Sequence, residues 1–537
     1  MPVSNLARST GSMAIGTLIS RVTGFARTAV FAYALGAASN LMNAYTNANT
    51  LPNAVYDLMI GGILTSVVVP LLVKAAKDHR DGGEAYNQRM FTLSVLALGA
   101  VTLVATLAAS LLVEIYAAPI HGAERRLIVT FAYFFIPQVF FYGVSSLIGA
   151  VLNTRGRFAA PMWAPIINNV VVICVGLLFA LTVGLNKNPD NIPAGGVTLL
   201  GAGTTLGIVA QTVALFRPLR QAGFRWRPRF DFRREELKEI GRMAGWMFGY
   251  ALTTQVTFVV TQLVANASSV HVAASGVAAY QNAYTMFLLP YSVIGVSVIT
   301  ALLPRMSRHA AEHRYWLLRE DFSTSIRLSS VILVPGGLLL AVLGAPLCEL
   351  IFSYGSSSIT QARSVGDAFA VFSLGLVPFV IFQLMLRVFY AMHDSKTPAI
   401  IGFWTMVATV AGNILMLVLL PSAYVVIGMA AIYGITSVFS AALSGKLLLR
   451  RVGSLDGRLI VRSLTRMHVA ALPALIFAVL ATVAFGALLG PGPLYGLAAV
   501  AIGGGGALLV YLRFARSLGV DELPELFSTV AGRFSGG

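Results

Sequence analysis

Ser20-Arg21-Val22-Thr23-Gly24-Phe25-Ala26-Arg27 lies in the middle of an apolar segment, about Ser12 to Ala37, that is long enough to cross a bilayer. A guanidinium in hydrocarbon costs roughly 2.5–3.5 kcal/mol even on the lenient insertion scale. Two of them near the middle of one span therefore need a partner or a water-filled cavity. Paired guanidinium forks suit an anion, and phosphate above all. This stretch decides both fold class and function: a membrane helix, and one with work to do inside the membrane.

The rest of the chain agrees with a membrane protein. Of 537 residues, 57% are apolar and only 11% charged, with mean hydropathy +0.79. Soluble domains carry about 25% charged residues. The fold class expected is an all-α polytopic membrane protein, with about fourteen spans separated by polar turns. Only two cysteines occur, Cys174 and Cys348, both in apolar surroundings, so no disulfide framework is expected. The net charge of +17 is unevenly spread. With the N-terminus inside, about 31 of the 38 basic residues fall in cytoplasmic turns, ends and tails, an asymmetry that favours cytoplasmic N- and C-termini. The densest run, Arg217 to Arg242, holds nine. Such charges orient the protein and meet anionic membrane lipids. No nucleic-acid module accompanies them, and no nucleic-acid partner is expected.

The chain also echoes itself. Ile60-Gly61 and Pro70 recur as Ile294-Gly295 and Pro304, 234 residues on, and Val151 and Pro161 recur as Val388 and Pro398, 237 residues on. Both offsets match second with eighth and fourth–fifth with tenth–eleventh spans. Parallel repeats of this kind are a transporter architecture with the substrate between the halves. The expected organisation is an N-terminal lobe over residues 1–217 (helices 1–6), a basic cytoplasmic inter-lobe loop over 218–235, a C-terminal lobe over 236–450 (helices 7–12), helices 13–14 over 451–516, and a cytoplasmic tail over 517–537.

Within the first helix, Thr17, Arg21, Gly24 and Thr28 share a face, while Arg27 lies about 120° round from Arg21 with Ser20 behind it. The second helix is unusually polar: Asn40, Asn43, Asn47, Thr50 and Asp57 recur near 3.5-residue spacing. Amides both donate and accept, which suits sugar hydroxyls and peptide groups, although they also serve as interhelical glue. Gln281 and Asn282 on the eighth helix face inward by the same logic. Asp57 is the only acid in the heart of the first two helices. Its pairing with Arg21 or Arg27 in one state and release in another would make a gate. Arg21, Arg27, Ser20, Asn43, Asn47, Gln281 and Asn282 are thus the substrate-binding candidates. Catalytic and metal-binding constellations are absent from the sequence: His309 and His313 have i, i+4 spacing but no HExxH frame, and no P-loop or nucleophile elbow occurs. No catalytic residue, metal or cofactor is expected, and transport must run on the membrane potential or a monovalent cation.

At this point the chain resembles the MurJ/MviN lipid II flippases, within the multidrug/oligosaccharidyl-lipid/polysaccharide exporter superfamily. The resemblance rests on Ser20-Arg21-x-x-Gly24-Phe25-x-Arg27, on Leu51-Pro52-Asn53, and on Leu152-Asn153-Thr154-Arg155-Gly156-Arg157-Phe158-Ala159-Ala160-Pro161 followed by Ala164-Pro165 and Asn168. It implies a V-shaped pair of six-helix lobes plus two C-terminal helices that form a groove for a lipid tail. It implies alternating access in a bacterial cytoplasmic membrane. The substrate implied is lipid II or a similar polyprenyl-diphosphate glycolipid, and cell-wall synthesis proteins are the implied partners. Arg21 and Arg27 match the family's cavity arginines, expected to hold the diphosphate. The departures are specific. Thr285 stands where family members often carry an eighth-helix arginine, and Tyr56-Asp57 replaces an arginine pair. A second-helix glutamate of some members falls at Gly61, which with Asp57 completes the gating candidates. Acids of a sodium site in some members align near Thr261 and Leu417, leaving only Asn413.

The rival readings are a flippase for another polyprenyl-diphosphate oligosaccharide, a drug antiporter, a polyprenyl-phosphate enzyme and a scaffold of the cell-wall machinery. Cavity arginines disfavour cationic drugs, and missing metal-binding acids disfavour the enzyme. The weakened sodium site carries a prediction: replacing sodium with another monovalent cation leaves transport running. Transport that stops without sodium contradicts it.

Overall fold

The computed structural model describes residues 3–56, 84–231, 234–272, 274–392, 394, 396–520 and 522. Among these, every regular element is helical. The chain divides into two compact units, Met1–Ala273 and Ala274–Gly537. The first holds α1 (Val3–Leu35), α2 (Asn40–Tyr56), α3 (Glu84–Leu107), α4 (Ala109–Tyr116), α5 (Gly122–Phe135), α6 (Gln138–Thr154), α7 (Ala159–Thr182), α8 (Ala194–Gln221) and α9 (Arg234–Ser269). The second holds α10 (Val277–Pro290), α11 (Val296–Ala311), α12 (Tyr315–Phe352), α13 (Ile359–Leu374), α14 (Leu376–Ala391), α15 (Lys396–Leu419), α16 (Ser422–Val452), α17 (Gly457–Leu489), α18 (Pro493–Ala498) and α19 (Gly505–Ser517).

Nine helical runs among the described residues are long and apolar enough to cross a membrane, and a tenth is the pair α13 and α14, bent by 53°. The chain is a multi-pass membrane protein. The expected fourteen spans are not reached by this measure. The second span runs into residues 57–83, outside the described set, and α1, α9 and the α10–α11 run are not among the nine. Physical reasons are visible in the chain: α1 carries its arginines, α9 is diluted by Gln255, Gln262, Asn266 and several threonines, and α10 is cut from α11 by a π turn at Tyr291–Gly295 just after Pro290. Proline lacks the N–H and clashes with the preceding turn, so the helix there shifts its hydrogen-bond register.

In the first unit α1 and α8 both pack on α7. Small residues permit the contact: a Cβ on Gly203 would lie 2.5 Å from Val175 and one on Gly207 2.5 Å from the Asn168 Oδ1. Without a hydrophobic force between helices in lipid, such close approach is what supplies dispersion contacts. Tyr45 of α2 sits among Phe31, Phe131 and Phe135, at ring distances of 4.9, 5.8 and 5.3 Å, with its hydroxyl 2.9 Å from Thr204. The seventh span, α9, which the sequence assigned to the second lobe, groups with this unit. Its polar face explains why. Asn266 and Asn47 exchange two amide hydrogen bonds, at 2.8 and 2.9 Å. Asn266 also donates to the Tyr116 carbonyl at 3.0 Å, and Gln262 donates to Thr50 at 3.0 Å.

The basic stretch after α8 is docked as a strap along α3. Gln88 donates to the Arg225 carbonyl and accepts from the Arg227 N–H, while Thr92 accepts from Trp226 and the Arg229 N–H. Arg155, from the most specific of the sequence motifs, ties the same strap: it meets Glu84 at 2.9 Å, donates to the Ala222 carbonyl at 2.8 Å and lies over the Phe224 ring. Side-chain pairing thus engages Arg155 with Glu84, and both Arg89 and Arg229 with Asp231, while Arg225, Arg227 and Arg229 stay exposed.

In the second unit, α13 lies so close to α12 that a Cβ on Gly366 would sit 2.6 Å from the Ala345 Cα. In the Gly503–Gly506 run, three of the four glycines meet neighbours of this chain. Cβ atoms there would reach Ala481 from Gly503, Leu343 from Gly504 and Phe477 from Gly506. The turn before α15 is capped by Asp394, which accepts from the Thr397 N–H at 3.0 Å and lies 2.9 Å from Arg451. Burial alone would raise the Asp394 carboxyl, but the Thr397 hydrogen bonds and the Arg451 charge outweigh it and hold it below the usual range.

Two predictions follow from these contacts. Asn266→Ala removes both amide hydrogen bonds to the buried Asn47, which keeps only its bond to the Asn43 carbonyl, and lowers thermal stability by about 0.6–1.7 kcal/mol. Adding Asn47→Ala restores part of it, because the two losses overlap; strictly additive losses in thermal unfolding refute the pairing. The depressed Asp394 pKa contributes stability that is full above the unfolded value, about 3.9, and is lost as pH falls through the folded one. Asp394→Asn therefore destabilises at neutral pH and flattens the decline in melting temperature below about pH 4; a parallel decline contradicts it.

Candidate functional site

The arginine turn of α1 is held from one side. Asn169 of α7 donates to the Ser20 carbonyl at 3.1 Å and to the Thr23 hydroxyl at 3.0 Å. Gly24 leaves ordinary room there, its Cβ position 3.5 Å from the same amide. The grip is on Ser20 and Thr23, and Arg21 is exposed. Arg27 is half-buried and within electrostatic reach of Tyr45. Among the described residues neither arginine has an acidic partner or donates a hydrogen bond. Asn169 thereby positions the candidate site.

Other arginines differ. Arg327 is answered by Glu522 at 2.9 Å. Arg363 meets the fully buried Glu349. Arg387, counted in the sequence among the cytoplasmic basic residues, lies half-buried within α14, its Nε buried and without a hydrogen-bond partner among the described residues. Only its depth, four positions before the helix end, distinguishes it in the sequence.

The amide candidates have other fates. Asn43 is fully buried and Asn47 is consumed by Asn266, so in this conformation both lie inside the helix packing. In the second unit Asn282 is buried and Gln281 half-buried on α10. They adjoin a ring cluster missed in the sequence. Tyr284, Phe287, Phe372, Phe379 and Tyr433 meet with centroids 5.5–6.0 Å apart. Period-3.6 placement of Tyr280, Tyr284, Phe287 and Tyr291 was its only local signal. Asp57 and Gly61, the gating candidates, lie outside the described residues. Among the described residues no group of three or more His, Cys, Asp or Glu is placed to hold a metal.

Known proteins resemble this multi-pass chain, whose first helix carries two arginines with no acidic partner among the described residues. Solved structures share the fold. One, "Lipid II flippase MurJ, inward closed conformation", matches with TM-score 0.74 at 19% identity, covering 95% of this chain and 99% of that one. An inward-facing multidrug resistance MATE family transporter of the MOP superfamily matches with TM-score 0.65 at 14% identity, covering 83% and 99%. Among curated relatives, the probable lipid II flippase MurJ of Haemophilus influenzae is 25% identical over 82% of this chain and 85% of its own. The lipid II flippase MurJ of Burkholderia cenocepacia is 27% identical over 76% and 78%. The family model "Lipid II flippase MurJ" matches residues 31–491, which is most of the chain, so the protein belongs to the MurJ lipid II flippase family, a family of transporters rather than enzymes.

Proposed function

We propose that this protein flips lipid II from the inner to the outer leaflet of a bacterial cytoplasmic membrane by alternating access. The substrate joins a diphosphate, two amino sugars and a peptide to a polyprenyl tail. Its diphosphate is the part that cannot cross hydrocarbon unaided, and Arg21 and Arg27 are the groups that answer it. The observation that carries this reading is their state: two guanidinium groups on a membrane span, without an acid among the described residues, in a chain of this family. A charge-assisted hydrogen bond contributes about 1.5–3 kcal/mol, or roughly a factor of 10 to 100 per arginine.

Membrane potential or a monovalent cation drives the cycle. The termini face the cytoplasm, where Arg225, Arg227 and Arg229 on the exposed strap meet anionic lipids. Cell-wall synthesis proteins receive the flipped lipid. The tail lies against the C-terminal helices, where an open apolar depression of about 390 Å³ is lined by Val461, Leu464, Thr465, His468, Val469 and Leu472.

Depleting the protein in its host and restoring wild type or Arg21→Ala/Arg27→Ala at matched abundance tests the reading. Lipid II exposed on the outer leaflet is expected to return with wild type only. Equal rescue by both removes the arginines from transport, and exposure unchanged by depletion contradicts the function itself.

A further inference from the structure

Two buried carboxylates outside the arginine site bind the C-terminal helices to a single membrane helix. At one end of α12, Glu349 is fully buried and uses both oxygens. Oε1 accepts from the Arg363 Nε of α13, and Oε2 accepts from the Gly492 backbone N–H at 2.6 Å. Gly492 immediately precedes α18 and has φ +149°, a conformation that side chains strain. One turn on, a Cβ at Gly496 would lie 2.4 Å from the Pro346 carbonyl, so the entry of the last span is pressed onto α12. Near the other end, Glu522 accepts from Arg327 of α12 at 2.9 Å and from Ser463 of α17 at 2.8 Å. Between the two, Tyr511 of α19 donates to the Val331 carbonyl at 3.0 Å. Arg327 and Glu349 are 22 positions apart on one helix, or roughly 33 Å at 1.5 Å per residue. That matches the hydrocarbon thickness of about 30 Å.

We propose that Glu349 and Glu522 are positioning residues that fasten the C-terminal helix pair to α12 at both faces of the membrane, so that the pair carries the substrate's polyprenyl tail as one body with the second unit. This rests on the flippase reading and on the tail lying along these helices. A charged contact at each end resists both sliding and pivoting, which apolar contacts alone resist weakly because lipid tails replace them at little cost. Arg21 and Arg27 act on the headgroup and Glu349 and Glu522 on where the tail goes.

The test uses the full chain in proteoliposomes, with fluorescent lipid II of native tail length and an analogue with a farnesyl tail. Glu349→Gln and Glu522→Gln preserve shape and remove the charge. Each is expected to slow flipping of the long-tailed substrate at least tenfold while the short-tailed analogue moves at the wild-type rate. An equal loss with both substrates means a purely structural role and overturns the proposal, as does an unchanged rate with both. Should Glu349→Gln not fold, Glu522→Gln reads the same contrast from the other face. A wild-type protein that moves neither lipid defeats the flippase reading, a failure distinct from loss of the tail-length contrast in an active protein.

Discussion

Charge in hydrocarbon has to be answered, and that constraint sorts the arginines of this chain. Each one inside the membrane stands to cost several kilocalories per mole unless something meets it. Arg327 and Arg363 are met within the fold by Glu522 and Glu349. Outside the spans, Arg155 is likewise met by Glu84 and a carbonyl. Arg21 and Arg27 have no such partner among the described residues: Arg21 is exposed and Arg27 half-buried, on a turn that Asn169 holds through Ser20 and Thr23. The answered charges build the protein. The unanswered ones are what it offers to a ligand.

The same distinction runs through the amides. Asn47 and Asn266 saturate each other, with Gln262 and Thr50 beside them. Such bonds are modest in membranes, averaging about 0.6 kcal/mol by double-mutant cycles. They nonetheless fix which helices pack together, and they bring α9 into the first unit. Asn169 spends its amide on α1 and so couples packing directly to the site. A polar residue in a span is therefore not by itself a binding residue; what matters is whether a neighbour has already used it.

Much of this was legible in the sequence, because long-range patterns in a membrane protein are coarse. Apolar runs and basic turns gave the helices, and the long runs from α3 to α8 and from α12 to α19 fall close to where hydropathy puts them. Arg21 and Arg27 stood out because charge is rare there. Partnerships were not legible. Glu522 lies 195 positions from Arg327 and Gly492 lies 143 from Glu349, and no local spacing joins them. Asn47 read as a ligand because its partner is 219 positions away. Arg387 read as a turn charge because helix ends blur in an apolar run. Family resemblance supplied the substrate, which the side chains alone narrow only to an anion.

The central claim is that the unanswered arginines bind the diphosphate. The most direct measurement is retention of lipid II by the purified protein, by native mass spectrometry, against a neutral polyprenol of the same tail length. The account predicts that Arg21→Ala/Arg27→Ala weakens lipid II retention by at least tenfold and leaves the polyprenol unchanged. Equal retention of lipid II by variant and wild type, or an equal loss of both lipids, would contradict it.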